Sequence, residues 1–260
     1  MGRGRSIRVP VFPNPSPALY LTLLSLAVAL VVGVGSWFLG AGWFFAGLLG
    51  LVAFVATWII GARRIGRRLE PTLQQARRQI EAGLVKPAIA SMRSVLPMAR
   101  WIPLLGGQIH AQIGFLEHQT GDQDAAVASL SRAGRRSGDA KLLLACIQFR
   151  DGKKDEALAE LEECTRFNRK HVLSHNVYAW LLNREGKRAE AIEVLNRLLK
   201  KENDAKSTAN RLRLQNGQKM DMAQFGMMWY ALGFERPPAS MGQMRTAPKG
   251  FRQPPKRKRG

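Results

Sequence analysis

Residues 145–161 read ACIQFRDGKKDEALAEL. Gly152 punctuates this stretch. A small residue, Ala145, stands seven positions before it, Ala157 five positions after it, and Leu161 four positions further on. The same arrangement occurs three more times: Ala76, Gly83, Ala88 and Met92; Gly114, Gly121, Ala126 and Leu130; Ala179, Gly186, Ala191 and Leu195. Successive glycines are 38, 31 and 34 residues apart.

A period in that range describes one pair of helices per unit. The glycine ends one helix in a tight turn that needs a positive φ. The alanine lets the second helix lie close against the first, and the bulky residue one turn later fills the space between hairpins. One such hairpin cannot bury its apolar face alone, whereas three or more stacked hairpins share a continuous core. Over residues 69–203 the pattern resembles the tetratricopeptide repeat. It departs from that family at the weak aromatic positions of the first helices, filled in the second unit by His110 and Glu117, and in lacking the proline that closes each repeat.

The resemblance implies an all-α solenoid of about four hairpins, followed over 204–234 by capping helices. There Gly217 restarts the pattern, with Met222 where alanine is expected. Met227, Met228, Trp229, Tyr230 and Leu232 read as a cap on the last repeat, the other reading being a partner-binding surface. Between the first two units, Pro97 to Gly107 inserts an apolar loop with Trp101, Ile102, Leu104 and Leu105.

In the tetratricopeptide family the first helices line a concave face that binds peptides. Carried over, that face falls on Phe115, His118 and Gln119 in the second unit. It continues on Leu142, Phe149 and Arg150 in the third, and on Asn176, Trp180, Asn183 and Arg184 in the fourth. Aromatic anchors beside arginine suit an apolar-acidic segment. The competing reading makes Phe115, Phe149 and Trp180 core residues of amphipathic helices. Leu73 and Arg77 stand where the family's clamp for a terminal carboxylate needs lysine and asparagine, so recognition of chaperone tails is not expected.

Ahead of the repeats, no charged residue occurs from Val9 to Ala62. A basic, proline-containing arm (1–16) precedes an apolar stretch (17–62) long enough for two helices of about 20 residues each. The spans are expected near 17–37 and 42–62, the first opened by Ser16 and Pro17. Trp37 and Trp43 flank the intervening turn, as indole rings do at a bilayer interface. Arg3, Arg5 and Arg8 lie before the hairpin, and Arg63, Arg64, Arg67 and Arg68 in a basic linker (63–68) after it, so both termini and the repeats are expected on the cytoplasmic side. A cleaved signal sequence would carry one shorter apolar run. Glycines 33, 35, 40, 42, 47 and 50 read either as close-packing positions or as ordinary glycine tolerance in a membrane helix.

The net charge of +21 sits mainly at the ends: residues 1–68 hold seven arginines and no acid, residues 235–260 eight basic residues and one acid. A nucleic-acid-binding domain would concentrate its excess on its own folded face. The tail from Glu235, closing on Lys256, Arg257, Lys258 and Arg259, reads as a disordered basic segment. With Arg63, Arg64, Arg67 and Arg68 it would meet anionic lipid or nucleic-acid phosphates.

Cys146 and Cys164 lack the pairing of a disulfide scaffold or zinc site. His171 and His175, four apart near Cys164, read as capping or packing residues. No HExxH, phosphate-cradling loop, dinucleotide fingerprint or nucleophile elbow occurs, so no catalytic residue, cofactor or metal is expected. The chain is expected to be a non-enzymatic, membrane-anchored scaffold, of the bacterial inner membrane, that recruits protein partners. Two other readings are a membrane tether for nucleic acid or the ribosome, and a non-catalytic subunit of an envelope enzyme or assembly complex.

Overall fold

The computed structural model describes residues 18–238 apart from Ala41, Arg100 and Pro103. The arm 1–16 and the run Lys256 to Arg259 lie outside the described residues. Within them every regular element is helical, as the sequence pattern predicts.

Two apolar helices come first, α1 (Ala18–Phe38) and α2 (Trp43–Glu81), both long and apolar enough to cross a membrane. They pack through small residues: a Cβ on Gly50 would sit 3.1 Å from the Ala29 carbonyl oxygen, and one on Gly33 3.4 Å from that of Ala46. The approach at Gly50 is tighter than a side chain readily allows, while that at Gly33 is at ordinary contact distance. Gly35, Gly42 and Gly47 have open space instead, so close packing explains only part of the glycine content.

The basic linker over 63–68 is helical: α2 runs on through it and becomes the first helix of the first repeat. Arginine is a good helix former, and nothing in Arg63, Arg64, Ile65, Gly66, Arg67 and Arg68 stops the helix. Leu69 and Ala76, further along the same helix, are then buried.

The repeats follow as α3 (Val85–Ala99), α4 (Leu105–Gln119), α5 (Gln123–Ser131), α6 (Gly138–Arg150), α7 (Lys154–Phe167), α8 (Val172–Arg184) and α9 (Arg188–Leu199). Gly83, Gly121, Gly152, Gly186 and Gly217 all take positive φ, from 72° to 85°. At each, the next residue's N–H reaches back to the carbonyl four before the glycine: Leu84 to Gln79, Asp122 to Glu117, Lys153 to Gln148, Lys187 to Leu182, Gln218 to Arg213, at 2.7–3.0 Å. This helix-terminating bond satisfies a carbonyl that the helix would otherwise leave open. Ala88, Ala126, Ala157 and Ala191 are fully buried, with Leu130, Leu161 and Leu195 one turn on.

The chain divides into two compact units, 1–141 and 142–260. In the first, Leu69 and Ala76 of α2 pack with Ile89, Met92, Val95 and Ala99 of α3 and Ile109, Ile113 and Leu116 of α4. Glu117, at a position the family leaves to an apolar side chain, is buried and pairs with Arg93 of α3. The loop after α3 packs Ile102 and Leu105 on this core, while Leu104 is exposed and holds a φ of 70°.

In the second unit α10 (Ala205–Gln215) follows α9, and after Gly217 the pattern changes. Instead of a full second helix there are a 3-10 turn at Ala223–Phe225 and the short α11 (Met227–Tyr230). Met222 is buried in the place of alanine. Trp229 and Leu232 are buried too, whereas Met227 and Met228 face outward and do not pack as the cap reading expects.

Candidate peptide-binding face

The expected face divides between the two units. In the first, Phe115 and Gln119 of α4 are exposed, and His118 Nδ1 lies 3.1 Å from Gln123 Oε1. These three positions are surface positions, as a binding face requires.

The second unit differs. Leu142 of α6 and Asn176 of α8 are interior residues. Asn176 Nδ2 donates to Ser207 Oγ at 2.7 Å and Asn176 Oδ1 accepts from Asn210 Nδ2 at 3.0 Å, so its side chain ties α8 to α10. Phe149 is buried, and Trp180 and Asn183 are half-buried. Only Arg150 and Arg184 are exposed.

The cover is the chain's own segment around α11. Trp229 packs edge to face on Trp180 at 5.0 Å between ring centroids. Phe234 lies 5.1 Å from Trp180, stacks on Trp229 at 5.5 Å, and meets Phe149 at 6.1 Å. Trp229 Nε1 donates to Glu235 at 2.8 Å, which satisfies the indole of a fully buried side chain. The Arg184 guanidinium sits 5.5 Å from the Trp180 ring centre and 6.0 Å from that of Phe149, within cation–π range. A Cβ at Gly233, where φ is 77°, would collide with the Arg150 guanidinium. The aromatic and arginine positions thus meet an apolar-acidic segment, and that segment is residues 229–235 of the same chain. Asn210, seven before Gly217, takes the place of the small residue of the other units. Its bond from the Asp221 N–H, 2.9 Å to Oδ1, draws the chain after Gly217 inward.

The remaining expected residues have plain placements. Arg63, Arg64, Arg67 and Arg68 are exposed on α2, and a cavity of about 300 Å³ lies between Arg64, Arg68, Met98 and Trp101. His171 caps α8, its Nδ1 accepting from the Ser174 N–H at 3.3 Å, and His175 Nδ1 donates to the His171 carbonyl at 3.0 Å. Both cysteines are buried thiols, and burial pushes the Cys146 thiol far above its ordinary range, so it has no thiolate to offer. No group of three or more metal-ligating side chains occurs among the described residues.

The tetratricopeptide repeat family model matches residues 138–171, which are α6, α7 and the turn into α8. No curated protein sequence matches the chain. Among solved structures, a crystal structure of MamA is 15% identical, with 61% of this chain and 94% of that chain covered and a TM-score of 0.43. YrrB, described as a TPR protein with an unusual peptide-binding site, is 15% identical, with 75% and 92% covered and a TM-score of 0.40. A Podosopora anserina putative kinesin light chain with TPR-like repeats is 16% identical, with 69% and 98% covered and a TM-score of 0.41. Residues 138–171 match the tetratricopeptide repeat family model, and the other hairpins share the glycine-turn geometry of that matched one.

Proposed function

We propose that this protein is a membrane-anchored tetratricopeptide scaffold that holds a protein partner at the cytoplasmic face of a bacterial inner membrane. The carrying observation is the continuity of α2. One helix is apolar from Trp43 to Ala62, bears Arg63, Arg64, Arg67 and Arg68 in the next two turns, and is buried in the first repeat at Leu69 and Ala76. From Ala62 to Ala76 is about 21 Å at 1.5 Å per residue, so the first repeat would stand directly on the bilayer. Large apolar side chains along both helices are open to their surroundings, among them Val31, Phe45, Leu51 and Ile60, which suits lipid and not water.

Recruitment would use exposed positions within each unit, Phe115 and Gln119 in the first and, separately, Arg150 and Arg184 in the second. A partner reaching Phe149 and Trp180 would have to displace residues 229–235. In-cell crosslinking followed by pull-down tests this, comparing the wild type with Phe115→Ala and with Arg150→Ala/Arg184→Ala. Partners should be lost from at least one variant while helicity is retained. Unchanged partners in both would refute the face, and release of the chain from membranes by alkaline carbonate would refute the anchor.

A second reading, a tether for nucleic acid or the ribosome, rests on the basic run Lys256 to Arg259. Deleting 249–260 should then abolish salt-sensitive retention on RNA.

A further inference from the structure

A cavity of about 260 Å³ opens in the second unit where the C-terminal ends of α7 and α9 meet the start of α8. Five cationic side chains line it: Arg166 and Arg169 from the end of α7 and the turn after it, and Arg197, Lys200 and Lys201 from the end of α9. No carboxylate does. Arg166 has a distant partner in Glu162, at 3.8 Å. Arg169, Arg197, Lys200 and Lys201 form no ion pair with any described residue. Against them lies the His175 imidazole, 3% exposed. Its Nδ1 is spent on the His171 carbonyl, and its Nε2 has no hydrogen-bond partner among the described residues.

Each of these charges has a commonplace local reason, since basic residues suit the last turns of α7 and α9. Their convergence is another matter. Helix dipoles do not require that two helices a repeat apart empty their charges into one concave volume, nor that a buried imidazole form its wall. A cleft lined by one sign of charge focuses potential and concentrates counter-ions. Three of its five cationic groups are guanidinium forks, whose geometry matches the oxygens of a phosphoryl group. A neighbouring depression shares Arg169 and Lys201 and carries the exposed ring of Phe167, which gives the organic part of a phosphorylated ligand a place to lie.

We propose that this cavity is a phosphate-binding site that takes a small di- or polyphosphoryl anion, supplied either as a free phosphorylated compound or as the headgroup of an anionic lipid.

Calorimetric titration of pyrophosphate into the full chain in detergent, at roughly 0.15 M salt, tests the site where surface charge alone is screened. One saturable site is expected. Arg197→Gln/Lys201→Gln should weaken it about tenfold or more, the effect of losing charge-assisted hydrogen bonds. Lys153→Gln/Lys187→Gln removes the same charge from exposed positions at the N-terminal ends of α7 and α9 and should leave the affinity unchanged. Absence of saturable binding, or an equal loss in both double variants, overturns the proposal. All four side chains are exposed, so the fold should persist, and helicity is checked by circular dichroism. With the site established, a short-chain cardiolipin, whose headgroup carries two phosphoryl groups, identifies the source. Competition with pyrophosphate assigns the cavity to lipid headgroups, and lack of competition to free phosphoryl compounds.

Discussion

Trp180 and Trp229 meet edge to face, their ring centroids 5.0 Å apart and their planes at 74°. Trp229 is fully buried, and around the pair gather Phe149, Phe234 and the guanidinium of Arg184. The aromatic face of the last repeats is therefore part of the folding core.

Trp229→Ala should cost about 3–5 kcal/mol, the usual range for truncating a buried aromatic side chain to leave a cavity. The loss falls on the second unit, and in denaturant unfolding followed by fluorescence Trp180 should report a more solvated environment. Met228→Ala, next in sequence and exposed, should stay within about 0.5 kcal/mol of the wild type. If both variants unfold alike, the segment around α11 does not cap the repeats.

Much of this architecture is legible in the sequence, because four kinds of position are fixed by sterics alone. Only glycine takes the positive φ of the turn without strain, and only a small residue fits at Ala76, Gly114, Ala145 or Ala179 beside the bulky side chain of the next helix. The concave face is less legible. Phe149 and Trp180 have the same residue types and spacing whether a partner or the chain itself covers them, and what decides is a contact with residues 49 to 85 positions away. Asn210 shows the same limit. As an Asn in a helix it reads as a surface residue, yet it is fully buried because Asn176 and the Asp221 N–H satisfy it. The cationic cavity escapes notice for a related reason, since its charges look ordinary until α7, α8 and α9 stack.

His175 gives the second unit a pH dependence. Burial, with the Arg197 charge nearby, holds its pKa below the ordinary 6.5 despite the hydrogen bond to the His171 carbonyl. The unfolded chain therefore binds this proton more readily than the folded one, and the stability present above the unfolded pKa is lost as pH falls through 6.5 toward the folded value. The melting temperature should drop between about pH 7.5 and about pH 5.5, and His175→Gln should flatten that slope. An unaltered slope in the variant would place the titrating group elsewhere.

Arg93 and Glu117 should show opposite signs. The Glu117 carboxylate is almost fully buried, with Oε2 left without a hydrogen bond, while Arg93 remains largely exposed. Removing the arginine strands a buried charge, so Arg93→Met should destabilise by about 1–3 kcal/mol. Glu117→Met removes the charge itself, fills the position with the apolar side chain that the repeat prefers, and should be neutral or stabilising. Equal destabilisation in urea melts would mean that the pair contributes as a pair.

Two glycines of α4 should respond to alanine in opposite directions. A Cβ at Gly114 would lie 2.6 Å from Leu130 Cγ and 3.2 Å from the Leu130 backbone nitrogen. Leu130 is fully buried and cannot withdraw, and the backbone contact cannot be relieved by a rotamer change. The overpacking cost of about 1–3 kcal/mol should exceed the gain of up to about 1 kcal/mol from helix propensity, so Gly114→Ala is expected to destabilise. Gly106 lies in the first turn of the same helix, and a Cβ there meets nothing within 4 Å. Gly106→Ala should keep the propensity gain and raise the melting temperature. Since both changes add the same methyl group to the same helix, a difference in sign isolates the contact with Leu130, and a shared sign would mean that α4 and α5 do not pack as closely as these distances require.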